Sequence, residues 1–203
     1  MSTIDSEREA PVLYTTFWQR VGASLLDLVC FVPILVLYLL VWSLGRHFYV
    51  ACTVLQVLVN IGFYVLLVQR YGGTPGKLMM GLRIVKTDGS PVGYREAFLR
   101  NVVPLSLSVL AGLALVMGTL SMTDAEYLSL GWQQRLTAQI SLAPEWNAGV
   151  SALSHLWNLS LLVVMLANNK RRATHDFVAG TVVVKQARSQ ELASDDVSAQ
   201  MSL

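Results

Sequence analysis

An arginine and an aspartate near the start of the chain are the residues whose types and spacing are best suited to chemistry. Arg20 directly precedes an apolar run, residues 21–42, and Asp27 lies inside that run. Seven residues turn an α-helix through roughly 700°, so both side chains share one face, with Asp27 about 10 Å deeper. A carboxylate inside a membrane helix costs about 2.5–3.5 kcal/mol, and such groups often serve ion or proton transfer. Asp27 is therefore a candidate proton or cation site with Arg20 as its charge partner. The alternative is a purely structural ion pair.

The composition places the chain among membrane proteins. It is 54% hydrophobic and 14% charged, with a mean hydropathy of +0.51, whereas soluble domains are about a quarter charged. Four apolar segments are long enough to cross a hydrocarbon core of about 30 Å: residues 21–42, 50–68, 102–120 and 149–167. We predict an all-α membrane protein built as a four-helix transmembrane bundle.

The positive charges predict the orientation of this bundle. Of 15 Lys and Arg residues, only Arg46 and Arg135 fall in the links that follow the first and third spans. Cytoplasmic segments carry the excess of positive charge, so we expect both termini to be cytoplasmic. The predicted organisation is a cytoplasmic tail over 1–16, a transmembrane domain over 17–185 with an extracytoplasmic amphipathic loop at 121–148, and a flexible cytoplasmic tail over 186–203.

The long cytoplasmic loop carries signals for ordered structure. Thr74 before Pro75 is typical of a helix start, with a capping hydroxyl followed by a residue that needs no donor. Residues 82–86 alternate apolar and basic side chains like a half-buried strand, and 181–185 form a second strand candidate. We predict that these two strands pair. Gly76-Lys77 is not a phosphate-binding loop, because Tyr71 and Leu78 stand where that motif needs a glycine and a hydroxyl.

Polar side chains form a stripe on each of two spans. Thr53, Gln56, Asn60 and Tyr64 share one face of the second span, and Ser151, His155 and Asn158 share one face of the fourth. One interpretation is hydrogen bonding between helices. The other is a single aqueous seam lined by Gln56, Asn60, His155 and Asn158, in which a neutral imidazole relays protons.

Two further patterns predict how the helices pack. Ser108 and Gly112 form a small-xxx-small pair that favours close packing of the third span, within the chain or across a dimer. Apolar side chains recur every four residues in the outer loop, which predicts an amphipathic helix that lies on the membrane or caps the bundle. They are Leu128, Trp132, Leu136 and Ile140.

Three ordered motifs resemble the RDD-domain family of prokaryotic membrane proteins, named for one arginine and two aspartates. They occupy residues 17–27, then 73–77 with 81–85 and 99–101, and finally 171–181. By position, the naming residues are Arg20, Asp27 and Asp176. The resemblance also marks the loop residues Gly73, Thr74, Pro75, Gly76 and Lys77 together with Arg100. It implies a bacterial inner-membrane location and transport, with cation/proton exchange among the suspected activities.

Asp176 is open to a structural interpretation. It follows the fourth span, where it can accept from backbone donors at a short helix start or pair with Arg20, Lys77 or Arg100. We interpret it as a bridge between the tail and the central loop.

Two classes of function remain. One is a small secondary transporter or transporter subunit that moves a cation or small solute coupled to protons, and a path in so small a chain requires at least a dimer. The other is a non-transporting helper that assembles or stabilises another membrane complex. We predict no enzyme, catalytic residue, cofactor or metal site, because no metal cluster, Ser/His pair or paired carboxylates share a depth. The expected partners are the lipid bilayer, a second copy or a membrane complex, and not nucleic acid, since the net charge of +2 follows from the orientation bias.

Overall fold

Four long apolar helices dominate the computed structural model, which describes residues 15–168 and 172–185. In chain order the elements are α1 (Phe17–Trp42), α2 (Arg46–Ile61), a π-helical segment (Gly62–Leu66), α3 (Leu67–Tyr71), α4 (Pro75–Met79), β1 (Leu82–Lys86), α5 (Tyr94–Leu120), α6 (Asp124–Ser129), α7 (Trp132–Ser141), α8 (Trp146–Ala167), α9 (Thr174–Ala179) and β2 (Thr181–Lys185). In this part of the chain, α1, the continuous helix Arg46–Tyr71, α5 and α8 are long and apolar enough to cross a membrane. The predicted four-helix membrane architecture is confirmed. Most of the predicted N-terminal tail, Arg171 and the tail 186–203 lie outside the described residues.

The spans pack in a series, α1 on α2, α2 on α5 and α5 on α8. Phe31 of α1 lies against Phe63, with ring centroids 4.3 Å apart. A Cβ added to Gly112 would lie 3.0 Å from Thr53 Cγ2. The close packing predicted for the third span therefore occurs within the chain, between α5 and α2. Large apolar side chains such as Leu58 and Leu156 point outward, as expected of a lipid-facing surface.

The helices begin earlier than their apolar runs. α1 starts at Phe17 because Thr16 and Gln19 form a capping box, in which each side chain accepts from the other's backbone N–H. α5 starts at Tyr94 rather than at residue 102 and thereby adds the buried Arg100 and Asn101. An apolar run marks the part of a helix inside hydrocarbon, whereas the helix itself continues into the interface.

The sheet end is the end of the bundle where β1, β2, α4 and α9 lie. β1 and β2 pair in antiparallel register, with Leu82 opposite Lys185 and Lys86 opposite Thr181, which confirms the predicted strand pair. Leu82, Ile84 and Val183 are buried together with apolar residues of the spans. The small sheet is therefore packed directly onto the helix ends.

The far end is the opposite end of the bundle, covered by α6 and α7. The single amphipathic helix expected there is divided in two, because Leu130 adopts an extended backbone and Gly131 starts a new helix. Tyr127 is fully buried and its hydroxyl donates to the Trp42 carbonyl at 3.0 Å. α7 approaches α5 so closely that a Cβ on Gly118 would lie 2.3 Å from the Gln139 carbonyl oxygen.

Candidate functional site

Arg20 and Asp27 share one buried face of α1, as predicted, but they bind different parts of the chain. Their exposed fractions are 8% and 5%. Arg20 reaches Asp176 beyond α8, while Asp27 faces the start of α4. The prediction that Arg20 is the charge partner of Asp27 is wrong. The two side chains lie two helical turns apart on α1, and each pairs with a group from another segment, Arg20 with Asp176 and Asp27 with Lys77.

Asp27 anchors the short helix α4. Its Oδ2 accepts from the Thr74 hydroxyl at 2.6 Å, and its Oδ1 accepts from the Gly76 N–H at 2.7 Å. The Lys77 ammonium lies 3.7 Å from Oδ2. Thr74 makes no side-chain capping bond to α4 itself, contrary to the sequence expectation. Instead, the carboxylate of α1 takes the place of the missing cap, and a negative group at a helix N-terminus is favourable.

Gly76 makes this contact sterically feasible. A Cβ at this position would lie 2.2 Å from the Ala23 carbonyl oxygen and 2.6 Å from the Asp27 backbone nitrogen. Both are atoms of a regular helix and cannot move aside independently. The glycine-lysine loop singled out in the sequence is therefore the surface along which α4 meets α1.

Asp176 is the centre of a second, fully buried group of contacts. Its Oδ2 accepts from Arg20 Nη1 at 2.8 Å and from the Ala173 N–H at 2.9 Å. Its Oδ1 pairs with the Arg100 guanidinium and accepts from the Thr181 hydroxyl at 3.3 Å. The predicted contacts with a helix start, Arg20 and Arg100 are all present, whereas Lys77 pairs with Asp27. Asp176 thus joins α1 and α5 to the α9–β2 segment.

Three residues around Asp176 were missed by sequence analysis. The Thr15 hydroxyl accepts from Arg20 Nε at 2.9 Å and lies 3.3 Å from the Val183 carbonyl, to which it donates. Thr181 accepts from Arg100 at 2.9 Å. His175 Nε2 lies 2.8 Å from Arg100 Nη2, and because a guanidinium only donates, this nitrogen accepts and carries no proton. Sequence analysis could have included His175 among the site residues, because it directly precedes Asp176.

Burial and charge shift the pKa values of this site in three different ways. Burial opposes ionisation of Asp176, but Arg100 and the other neighbours outweigh it, so its pKa lies well below the ordinary value. Burial and then Arg100 lower the pKa of His175 to about 3, against the opposing effect of Asp176. Burial and Arg100 also lower the pKa of Lys77 to about 8, although Asp27 opposes the shift. At neutral pH the site therefore holds a neutral imidazole at His175 beside the ionised carboxylate of Asp176.

The two polar stripes do not meet inside one chain. Asn60 accepts from the Asn101 amide at 3.2 Å, which is the interhelical hydrogen bond of the first interpretation. Gln56, His155 and Asn158 are exposed. On α8 the stripe is exposed on the flank of the packed side, which is marked by Val150 and the half-buried Trp157.

The arrangement suits holding segments together better than holding a small cofactor. Arg20, Arg100 and Lys77 face the carboxylates of Asp27 and Asp176 across four chain segments. Within residues 15–168 and 172–185, no group of three or more His, Cys, Asp or Glu side chains is placed to hold a metal ion.

Comparison with known proteins identifies a family whose match spans the charged residues of this site. The model of the RDD family matches residues 14–180, a range that includes both buried carboxylates and all three of their cationic partners. The chain is also 35% identical over 102 residues to the uncharacterized protein YckC of Bacillus subtilis (strain 168). That match covers 49% of this chain and 66% of the relative, so the chain spans slightly less than two thirds of the relative's length.

Proposed function

The chain belongs to the RDD family. On that premise we propose that it is a non-transporting helper that assembles or stabilises another membrane complex, which docks at its sheet end. The observation that carries the proposal is that the family's naming residues are buried and bound to segments outside the spans. Arg20, Asp27 and Asp176 are at least nine-tenths buried. Arg20 and Asp27 lie on α1 and bind groups outside the spans, whereas Asp176 lies outside the spans and binds Arg20. Their role is then to build the sheet end and not to line a path.

The distribution of polar groups between the spans supports the same proposal. A path for a cation or proton needs polar or titratable groups at successive depths. In one copy of the chain, His155 and Asn158 are exposed on the flank of α8, and Asn60 is bonded to Asn101. Within residues 15–168 and 172–185, the buried charged side chains are those of Arg20, Asp27, Arg100 and Asp176, which lie towards the sheet end.

The surface of the sheet end supports docking of a partner. The side chains of Arg70, Arg83 and Arg95 are exposed there, and the rigid β1–β2 pair supports Arg83. Exposed guanidinium groups at one end of the bundle favour a partner with an acidic segment. With both termini in the cytoplasm of a bacterial cell, as the charge distribution predicts, this surface faces the cytoplasm.

Capture of the partner tests the proposal. We would isolate the tagged chain from its own membranes in mild detergent, as wild type and with Arg83→Glu. We expect a stoichiometric membrane partner with wild type and at least a tenfold loss with Arg83→Glu. Glu145→Lys, an exposed charge reversal near the far end, is the matched control and should retain the partner. Equal recovery with all three proteins contradicts docking at the sheet end.

Transport is the second candidate, and one observation favours it. Lys77 of α4 lies 3.7 Å from Asp27 of α1, and its lowered pKa of about 8 lets it release a proton near physiological pH. A dimeric or larger exchanger could use this pair as its proton site.

Reconstitution distinguishes the two candidates. The purified protein is placed in liposomes with a trapped pH dye, and sodium, potassium or lithium is added outside. The helper proposal predicts a flat trace from well-inserted wild type. A cation-dependent signal that disappears in Asp27→Asn, while Asp88→Asn in the exposed turn retains it, would establish exchange and refute the proposed function.

A further inference from the structure

The outward face of α8 carries polar side chains where a lipid-facing helix should be apolar. Ser151, His155 and Asn158 follow one another at steps of four and three, and all three are exposed on the flank of α8 that lies roughly 100° around the helix from Val150. Ala148 and Ala152 lie beside them on the same exposed face. In hydrocarbon, a hydroxyl, an imidazole and an amide without partners each carry a desolvation cost.

We infer that this face of α8 is the contact between two copies of the chain within the membrane. The inference is independent of the proposed function, since either a helper or a transporter could be dimeric. Two alanines four residues apart let helix backbones approach closely, which is typical of helix contacts in membranes. Close approach brings the neighbouring polar groups within hydrogen-bonding distance of the facing helix.

The chemistry of the stripe identifies the occupant as a second copy. Copies inserted in the same orientation are related by a two-fold axis along the membrane normal, so each α8 side chain meets its own counterpart at the same depth. Serine, neutral histidine and asparagine each carry both a donor and an acceptor. Each can therefore bond to an identical group. α8 contains no Asp, Glu, Lys or Arg, whose like charges would repel across such an axis.

Cysteine cross-linking tests this contact directly. Cys30 and Cys52 are first replaced by alanine, and single variants Ser151→Cys and Asn158→Cys are oxidised in native membranes and in liposomes. Leu153→Cys is the matched control, because Leu153 is exposed on α8 but lies on a different side from the stripe. We expect disulfide-linked dimers of twice 22.3 kDa from the two stripe variants in both settings, at several times the yield from Leu153→Cys.

Two outcomes would overturn the inference. Equal yields from Leu153→Cys and the stripe variants would show random collision. Cross-links of another mass in native membranes, with none in liposomes, would assign the face to a different protein.

Association measured without cysteines is the second test. Asn158→Leu and His155→Leu should each lower the association constant of labelled copies in liposomes by about threefold to tenfold, the loss expected for one or two interhelical hydrogen bonds. Leu153→Ala should leave it unchanged. Thermal unfolding of each variant in detergent shows whether the fold is retained, and an unchanged association constant in folded variants would refute the contact.

Discussion

The two ends of the bundle are fixed by different physical means. At the sheet end, buried charges join segments that are far apart in sequence, such as Arg20 with Asp176. At the far end, the cover is held by aromatic packing and by bonds to backbone carbonyls, such as Tyr127 to Trp42. Its ion pair, between Arg46 and Asp124, joins side chains that are 25% and 58% exposed.

This difference shows which end of the bundle tolerates fewer alternative arrangements. A buried carboxylate that loses its cation has no water to replace it, so only one arrangement of the sheet end is acceptable. An exposed ion pair that opens is solvated at once and contributes about 0–1 kcal/mol. We therefore expect substitutions at the sheet end to disrupt the fold and comparable substitutions at the far end to loosen it locally.

The largest expected effect is that of Asp176→Asn. The amide keeps the volume of the side chain but leaves Arg20 and Arg100 buried without a counter-charge. Removing one partner of a buried ion pair costs about 3–5 kcal/mol. We expect a strongly reduced yield of folded protein and a lower unfolding temperature in detergent.

Asp124→Asn is the matched control at the far end, because it removes the same charge from an exposed pair. It should lower stability by about 1 kcal/mol or less. If the two substitutions destabilised the protein equally, the contrast between the two ends would be invalid.

The second prediction concerns acid stability. The pKa of His175 is about 3 in the folded protein against 6.5 ordinarily, so between these values the unfolded chain binds a proton that the folded chain does not. Stability should therefore fall as the pH falls from about 6.5 towards 3, and should not change on this account above 6.5. Protonation would place a cation among Arg100, Lys77 and Arg20, with only Asp176 to oppose it.

Unfolding temperatures measured at steps of pH check this sign. His175→Gln, which can still accept from Arg100, should flatten the curve between pH 6.5 and 4. His47→Gln, near the far end, is the control and should follow the wild type. Part of the loss that remains below pH 4 in His175→Gln would belong to Asp176, whose lowered pKa makes its protonation destabilising. The rest would belong to further carboxyls whose pKa is lowered in the same sense, those of Asp88, Glu96 and Glu126.

Sequence analysis predicted the elements better than their partners. Apolar runs and alternation identified four spans and two strands, because these signals lie within a few residues of one another. The partner of Arg20 lies 156 residues away; sequence analysis offered that pairing only as one of several for Asp176, a residue marked by the family resemblance and not by a local pattern. Asp27 was correctly singled out as an unusual buried charge, but α4 was needed to show that it caps a helix in another segment.

The third prediction compares one glycine at each end. Gly76→Ala forces a Cβ against backbone atoms of α1, and Gly118→Ala forces one against the Gln139 carbonyl of α7. Overpacking of this kind costs about 1–3 kcal/mol. We expect Gly76→Ala to lower global stability because it also displaces the donors to Asp27. Gly118→Ala should mainly increase hydrogen exchange in residues 124–141.

Gly62→Ala is the control for both glycine variants. A Cβ there meets nothing within 4 Å, so the substitution should be neutral or slightly stabilising. Faster hydrogen exchange over residues 75–86 in Gly118→Ala would show that the two ends are coupled. That result would contradict the local effect expected of a substitution at the far end.

The smallest expected effect is that of Tyr127→Phe at the far end. The ring stays in its buried site among Trp42, Tyr49 and Met122, but the bond to the Trp42 carbonyl is lost. A hydrogen bond of this type contributes about 1 kcal/mol. Because α6 and α7 remain held by other contacts, including Arg135 Nε to the Tyr127 carbonyl at 2.8 Å, we expect slightly faster exchange in α6 and an unchanged sheet end.

Tyr71→Phe, at an exposed position, should show neither change. A loss of several kcal/mol in Tyr127→Phe would mean that the far end is specified as strictly as the sheet end, because this buried hydroxyl would then be as costly to remove as a buried charge.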